Sequence, residues 1–239
     1  MNEVLSMKAK FPVYFLFYFL VFSVFVGAVM AGSKAVTVIS ESSPVPRKHT
    51  LIIDAGHGGI DGGATSCTGV LESNINLQIS TRLNDLFHLL GYETRMIRNS
   101  DTSVYTQGNT IASQKASDLK ERVRIVNSTE NAVLISVHQN TFSDQKYSGA
   151  QVFYAPTDGS QSFAESLQTA MVSAVNPGSR RKAKKANGVY LMEHIQCPGI
   201  LVECGFLSNP VEEAMLRTKE YQQKLCCVIA ATATGFLTE

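Results

Sequence analysis

The sequence predicts a single α/β domain: a mixed, largely parallel sheet with helices on both faces, preceded by an N-terminal hydrophobic helix. Three observations carry this. Short, continuously apolar runs at 50–54 and 132–137 read as strands buried on both faces. Segments with apolar residues at helical spacing lie between them. Strand and helix patterns alternate along the chain, as they do where helices connect the strands of a sheet.

Composition narrows the class. The chain has 239 residues, 44% hydrophobic and 17% charged, with a formal net charge of +1. That excludes a disordered polymer, a collagen and a charged coiled coil. Near-neutrality removes whole-protein basicity as a reason to expect nucleic acid, and none is expected as a partner. About 200 residues follow the apolar N-terminus, room for one well-buried domain or two small ones.

Residues 11–31 carry no charge, and only Pro12, Ser23 and Gly27 fall outside the hydrophobic set. A run of about 20 apolar residues matches the hydrocarbon thickness that a helix crosses. Lys8 and Lys10 precede it, which leaves the N-terminus in the cytoplasm and exports the rest. Val29 and Ala31, small residues before Gly32, equally suit a cleaved signal peptide. Residues 1–32 are therefore a signal peptide or a membrane anchor, and both place the domain outside the cytoplasm. Residues 33–49 lack periodicity and read as a linker, leaving 50–239 as the domain. Cys67, Cys197, Cys204, Cys226 and Cys227 are odd in number and form no CxxC pair, so neither a disulfide framework nor a zinc ribbon is expected.

Taken in order, 50–54 is a strand that runs into the glycine turn AGHGG. Positions 75, 79, 83, 86, 87 and 90 form one helical stripe, closed by Gly91. Residues 92–98 read as a strand, 99–116 as a polar loop and 118–127 as a helix. Residues 132–137 form a strand that ends at His138, and 150–154 another. Phe163, Leu167, Ala170, Met171 and Ala174 mark a helix. A basic loop spans 180–185. Residues 188–192 and 199–202 read as strands, and 212–237 as mostly helical with a break near Lys219.

Three of these strands end in polar residues that a core does not select: Asp54-Ala-Gly-His57, Ser136-Val-His138-Gln-Asn140 and Leu201-Val-Glu203. Strand C-termini of an α/β sheet face a common crevice where ligands bind. Glu72, opening the first long helix, can reach the same crevice. Two imidazoles and one carboxylate make the ligand set of a catalytic zinc with an open position, and the second carboxylate can carry a proton. Taken singly, each histidine reads more readily as structural; it is their convergence that points to a metal. The 56–63 stretch lacks both GK[ST] and GxGxxG, so phosphate binding is disfavoured. Asp54 and Asp61 read as turn-formers. His49 falls in the linker, and His88 reads as surface or packing. His194, following an expected strand, is a candidate for lining the cleft. No GxSxG occurs, and Cys204 has no base beside it in sequence.

IIDAGHGGIDGGA (52–64), LESNINLQI (71–79), LKERVRIVNS (119–128), LISVHQN (134–140) and PGILVECGFLSNP (198–210) resemble, in order, the signature blocks of the zinc-dependent N-acetylmuramoyl-L-alanine amidases of the amidase-3 type. The resemblance implies one zinc ion held by His57, Glu72 and His138, with Glu203 as the catalytic carboxylate. It implies hydrolysis of the amide between N-acetylmuramic acid and L-alanine of the stem peptide, so peptidoglycan is the expected partner. Asn140, Arg122 and His194 are candidate substrate contacts; Arg122 alternatively braces an acidic residue near the site. A single catalytic domain behind one hydrophobic segment is similar to the spore-cortex, germination-specific branch. That implies muramic δ-lactam formation and an extracytoplasmic setting such as the forespore intermembrane space. Need for an activator protein stays open. Glu193 stands where many members carry a basic residue, and the 180–185 cations either compensate or are merely solvated. The alternative function is an inactive peptidoglycan-binding module of the same fold.

Overall fold

A computed structural model describes residues 49–238, all within one compact unit. The N-terminal hydrophobic segment and nearly all of the 33–49 linker lie outside the described residues. Strand β1 (Thr50–Ala55) is buried from Leu51 onward. It is followed by α1 (Glu72–Leu89), β2 (Glu93–Met96), α2 (Ile111–Asn127), β3 (Ala132–Asn140), β4 (Gln151–Tyr154), α3 (Ser160–Ala174), β5 (Lys184–Lys185), α4 (Tyr190–His194), β6 (Gly199–Phe206), α5 (Pro210–Leu216) and α6 (Lys219–Thr238).

One six-stranded sheet runs β2-β1-β3-β6-β4-β5. β2, β1, β3 and β6 are parallel, whereas β4 is antiparallel to β6 and carries β5 beside it. The expected mixed, largely parallel sheet is therefore present. Side chains on a strand alternate between faces, and the core divides accordingly. Leu51, Ile53, Val133, Ile135, Val137, Ile200 and Val202 join residues of α1, α3 and α6 in one cluster. Ile52, Leu134 and Leu201 join Ile125 and Val126 of α2 and Leu191 and Met192 of α4 in the other. Both faces are covered, which is why these strands carry no polar alternation.

Four segments differ from expectation. Lys184–Lys185, inside the expected basic loop 180–185, pair with Phe153–Tyr154 as β5. Residues 188–192 hold a turn and the start of helix α4 rather than a strand. Leu191, Met192 and Ile195 all bury against the sheet, and a short apolar run does not discriminate strand from helix. The polar stretch 99–116 ends in the first turn of α2, opened by a capping box in which Thr110 and Ser113 satisfy each other's backbone amides. Finally, β6 extends to Phe206, so Glu203 lies within the strand rather than at its end. The C-terminal helical region breaks at Arg217–Thr218, next to Lys219 as expected. Among the described residues no helix is long and apolar enough to cross a membrane. All five cysteines are free thiols, and burial pushes the Cys204 thiol far above its ordinary range, which unsuits it as a nucleophile.

Candidate metal centre and its carboxylate

The turn after β1 is shaped by what approaches it. A Cβ on Gly56 would lie 2.2 Å from the His138 ring, so only glycine fits there. His57 takes φ +61°, a left-handed conformation costly for a non-glycine residue. Two buried arginines hold this backbone. Arg98 donates from Nε to the Ala55 carbonyl (2.8 Å) and from Nη2 to the Gly56 carbonyl (2.9 Å). Arg122 donates from Nη1 to Ala55 (3.0 Å) and from Nη2 to the His57 carbonyl (2.7 Å). Arg122 is itself neutralised by Asp54 and by Asp118 Oδ2 at 2.6 Å.

Three side chains then converge. His57 Nε2 lies 3.2 Å from Glu72 Oε2, and His138 Nδ1 lies 3.0 Å from Glu72 Oε1. One donor atom from each lies within 4.8 Å of the others. Metal–ligand bonds of about 2.0–2.1 Å in a tetrahedron put donors about 3.3 Å apart, so this set fits a small divalent ion. Asp61 Oδ2 accepts from His57 Nδ1 at 2.9 Å, which fixes the tautomer that leaves Nε2 free for a metal. Lys115 holds the other Asp61 oxygen at 2.7 Å. Glu72, only 3% exposed, accepts from the Gln139 and Ala64 amides and from Asn76 Nδ2.

The electrostatics agree with the geometry. Burial works against charge on His57, but hydrogen bonds and charge from Glu72 and Asp61 outweigh it and raise the imidazole to about 9. Burial likewise disfavours the Glu72 anion, yet the two histidines hold it far below the ordinary carboxylate range. Without a cation at the centre, a proton takes its place.

Glu203 pairs in register with His138 across β3 and β6, so the carboxylate stands beside the donor set. Its Oε2 is buried with no hydrogen-bond partner among the described residues. Burial, only partly offset by the histidines, pushes Glu203 up to about 7. A buried, unpaired carboxylate titrating near neutrality is what proton transfer requires and what a structural role does not. A cavity of about 310 Å³ opens onto His57, His138 and Glu203, with Ile60, Leu119 and Leu191 among its walls.

The structure thus brings together His57, Glu72, His138 and Glu203. Arg122 lines the cavity, but most of its donors are spent on Asp54, Asp118 and backbone carbonyls, which makes it a brace. His194 does not line the cavity: its Nδ1 bonds the Tyr190 carbonyl at 2.8 Å and its ring stacks on Tyr190, because the expected strand is a helix end. Asn140 ends β3, its carbonyl accepting from Leu207, and it too is off the cavity wall. Asp54 is no turn-former; it binds Arg122 and Ser136 Oγ. Asp61 accepts from the Gly63 amide as a turn residue does, but it also orients His57. Glu193 closes a local turn by accepting from the Gly188 amide at 2.6 Å. Sequence patterning alone does not single out Arg98 and Asn76, which the structure places at the site. An arginine directly after the apolar pair Met96-Ile97 was the available signal for the first.

An α/β sheet with a His-Glu-His donor set and, within the neighbouring strand, a buried carboxylate defines a candidate metal hydrolase. The chain belongs to the Amidase_3 family, N-acetylmuramoyl-L-alanine amidase, whose profile matches residues 51–234. It is 36% identical over 191 residues to the germination-specific N-acetylmuramoyl-L-alanine amidase of Bacillus subtilis, covering 79% of this chain and 80% of that one. Among solved structures it is similar to the CwlD amidase of Clostridioides difficile, determined in complex with the GerS lipoprotein. The TM-score is 0.76 at 32% identity, covering 80% of this chain and 98% of that one. An N-acetylmuramoyl-L-alanine amidase of Clostridium difficile 630 gives a TM-score of 0.69 at 31% identity, covering 81% and 98% of the two chains.

Proposed function

We propose that this chain is a zinc-dependent amidase that cuts peptidoglycan between the lactyl group of N-acetylmuramic acid and L-alanine of the stem peptide, during spore-cortex maturation. Supporting the reaction is the family. Supporting the setting is the likeness to a germination-specific relative. The observation that carries the chemistry is the His57, Glu72 and His138 cluster in register with an unpaired Glu203.

His57, Glu72 and His138 would hold the ion, and a bound zinc supplies a Lewis acid for the scissile carbonyl. Glu203 takes a proton from the attacking water and returns it to the leaving alanine nitrogen, a role supported by its place beside the donor set. Asp61 keeps the His57 tautomer, and Arg122 and Arg98 keep the strained turn. Residues 50–239 form the catalytic domain. Residues 1–32 export it as a cleaved signal or an anchor, so the enzyme works outside the cytoplasm. The complex formed by the CwlD relative supports a lipoprotein partner here as well. Digesting purified peptidoglycan with the full chain and analysing the products by mass spectrometry tests the reading. Peptides with a free L-alanine amine are expected. Binding without release of such peptides would make the chain a wall-binding module instead.

A further inference from the structure

The block FLSNP (206–210) takes no part in the chemistry above, yet it organises a neighbouring loop. Ser208 Oγ accepts from the Phe142 amide at 3.0 Å. Asn209 Nδ2 donates to the carbonyls of Gln145 (2.9 Å) and Tyr147 (3.3 Å), while its Oδ1 caps α5. The buried Glu212 carboxylate accepts from the Gly149 amide and the Phe206 amide, both at 2.8 Å. Residues 142–149 are thereby tied to β6 and α5 at both ends and in the middle.

What this pinned loop displays is apolar. Phe142 is 53% exposed and Tyr147 41% exposed. Their rings meet edge-to-face at 4.7 Å, and Tyr147 stacks at 6.4 Å on the buried Phe206. Single exposed apolar residues need no explanation, but two rings locked together on a braced loop lose the freedom to fold away from water. The ladder also continues the catalytic edge. Asn140 pairs with Phe206 just past the His138–Glu203 pair. Phe142 follows His138 by four residues and Phe206 follows Glu203 by three, so extended chain of about 10–14 Å at most separates the rings from the chemistry, a step of two or three pyranose rings.

We infer that the Phe142–Tyr147 face is a subsite for the glycan strand, seating the saccharide beside the muramic acid whose amide is cut. This rests on the amidase reading of the centre. Aromatic faces carry partial negative charge and attract the polarised C–H groups of a pyranose, and rigid rings do so at little entropic cost. The neighbouring cations favour a sugar over a peptide carboxylate, because they are already engaged. Arg181 lies over Phe206 at 5.1 Å and donates to the Ser148 carbonyl at 3.1 Å. Lys146 is paired with Asp144 at 2.7 Å. Lys146 Nζ also lies 5.6 Å from the Tyr147 ring centre, and what the loop leaves exposed beside these cations is the Phe142–Tyr147 pair.

The test is a titration of the full-length, metal-loaded protein with a peptide-free GlcNAc–MurNAc tetrasaccharide, followed by tyrosine fluorescence and NMR. Saturable binding is expected. The Phe142→Ala/Tyr147→Ala double variant should bind at least tenfold more weakly, and Tyr147→Phe should restore affinity to within about twofold of the parent, since the hydroxyl is not needed for stacking. Leu89→Ala, at an exposed site on α1, serves as the control and should bind as the parent does. Absence of saccharide binding by the parent, equal affinity in the double variant, or protection of these two rings by free stem peptide would each overturn the assignment. Binding is read without hydrolysis, so the two readings fail separately. A chain that binds glycan but releases no peptide loses the amidase reading, and one that releases peptide without binding glycan loses the subsite.

Discussion

Glu203 is costly to keep in the metal-free protein. Its carboxyl rises from an ordinary 4.5 to about 7 on folding. Between those values the folded state holds a proton that the unfolded chain has released, so stability falls as pH rises from 4.5 through 7. The full penalty above pH 7 is about 3 kcal/mol. Glu203→Gln should therefore make the metal-free protein more stable than its parent at pH 8 by up to that amount, with the difference vanishing near pH 4. Urea unfolding at the two pH values checks it. The same variant should retain metal yet lose turnover by about 10²–10⁴-fold, measured on muropeptides. Asp61→Ala should leave the fold intact but weaken zinc affinity by about 10–100-fold in a chelator competition, because His57 loses the partner that orients it. Glu203 and His138 were legible in the sequence because each stands where a buried strand would otherwise stay apolar, and His57 because it sits in the glycine turn that such a strand runs into. Asp61 was not: a turn aspartate and a histidine's partner look alike until the turn is built.

At the scale of elements, the β1–α1 connection holds the centre, and its braces are long-range. Arg122 sits on α2, yet its guanidinium serves carbonyls 65 and 67 residues away. Arg122→Met removes the charge that balances buried Asp54, so a loss of about 3–5 kcal/mol is expected in chemical unfolding. Gly56→Ala drives a methyl into the His138 ring. It should cost about 1–3 kcal/mol in stability and, by displacing a ligand, weaken metal binding; thermal unfolding with and without zinc separates the two effects. Apolar periodicity sufficed to place most strands and helices. It failed at α4, where five residues are too few to reveal a period, and at the start of α2, where the cap is Thr-x-x-Ser rather than the Glu-ended box. The first of these is also why His194 ends a helix and stacks on Tyr190 rather than lining the cavity.

For the molecule as a whole, the parallel order β2-β1-β3-β6 brings His57, His138 and Glu203 together toward the C-terminal ends of neighbouring interior strands although Glu203 follows His57 by 146 residues. The N-terminus of α1 adds Glu72 from the other side of the connection. This convergence follows from topology, which strand–helix alternation made readable. The aromatic ladder on 142–149 was not readable, since its rings meet only through hydrogen bonds from a motif some 60 residues away. The central claim is that His57, Glu72 and His138 share one ion that amide hydrolysis requires. Elemental analysis of the full-length protein and its His138→Ala variant, paired with release of L-alanine-terminated peptides before and after chelation, tests it most directly. One zinc per chain in the parent, loss of zinc and peptide release in the variant, and activity abolished by chelator and restored by zinc are the expected results. Undiminished peptide release from metal-free protein would contradict the claim.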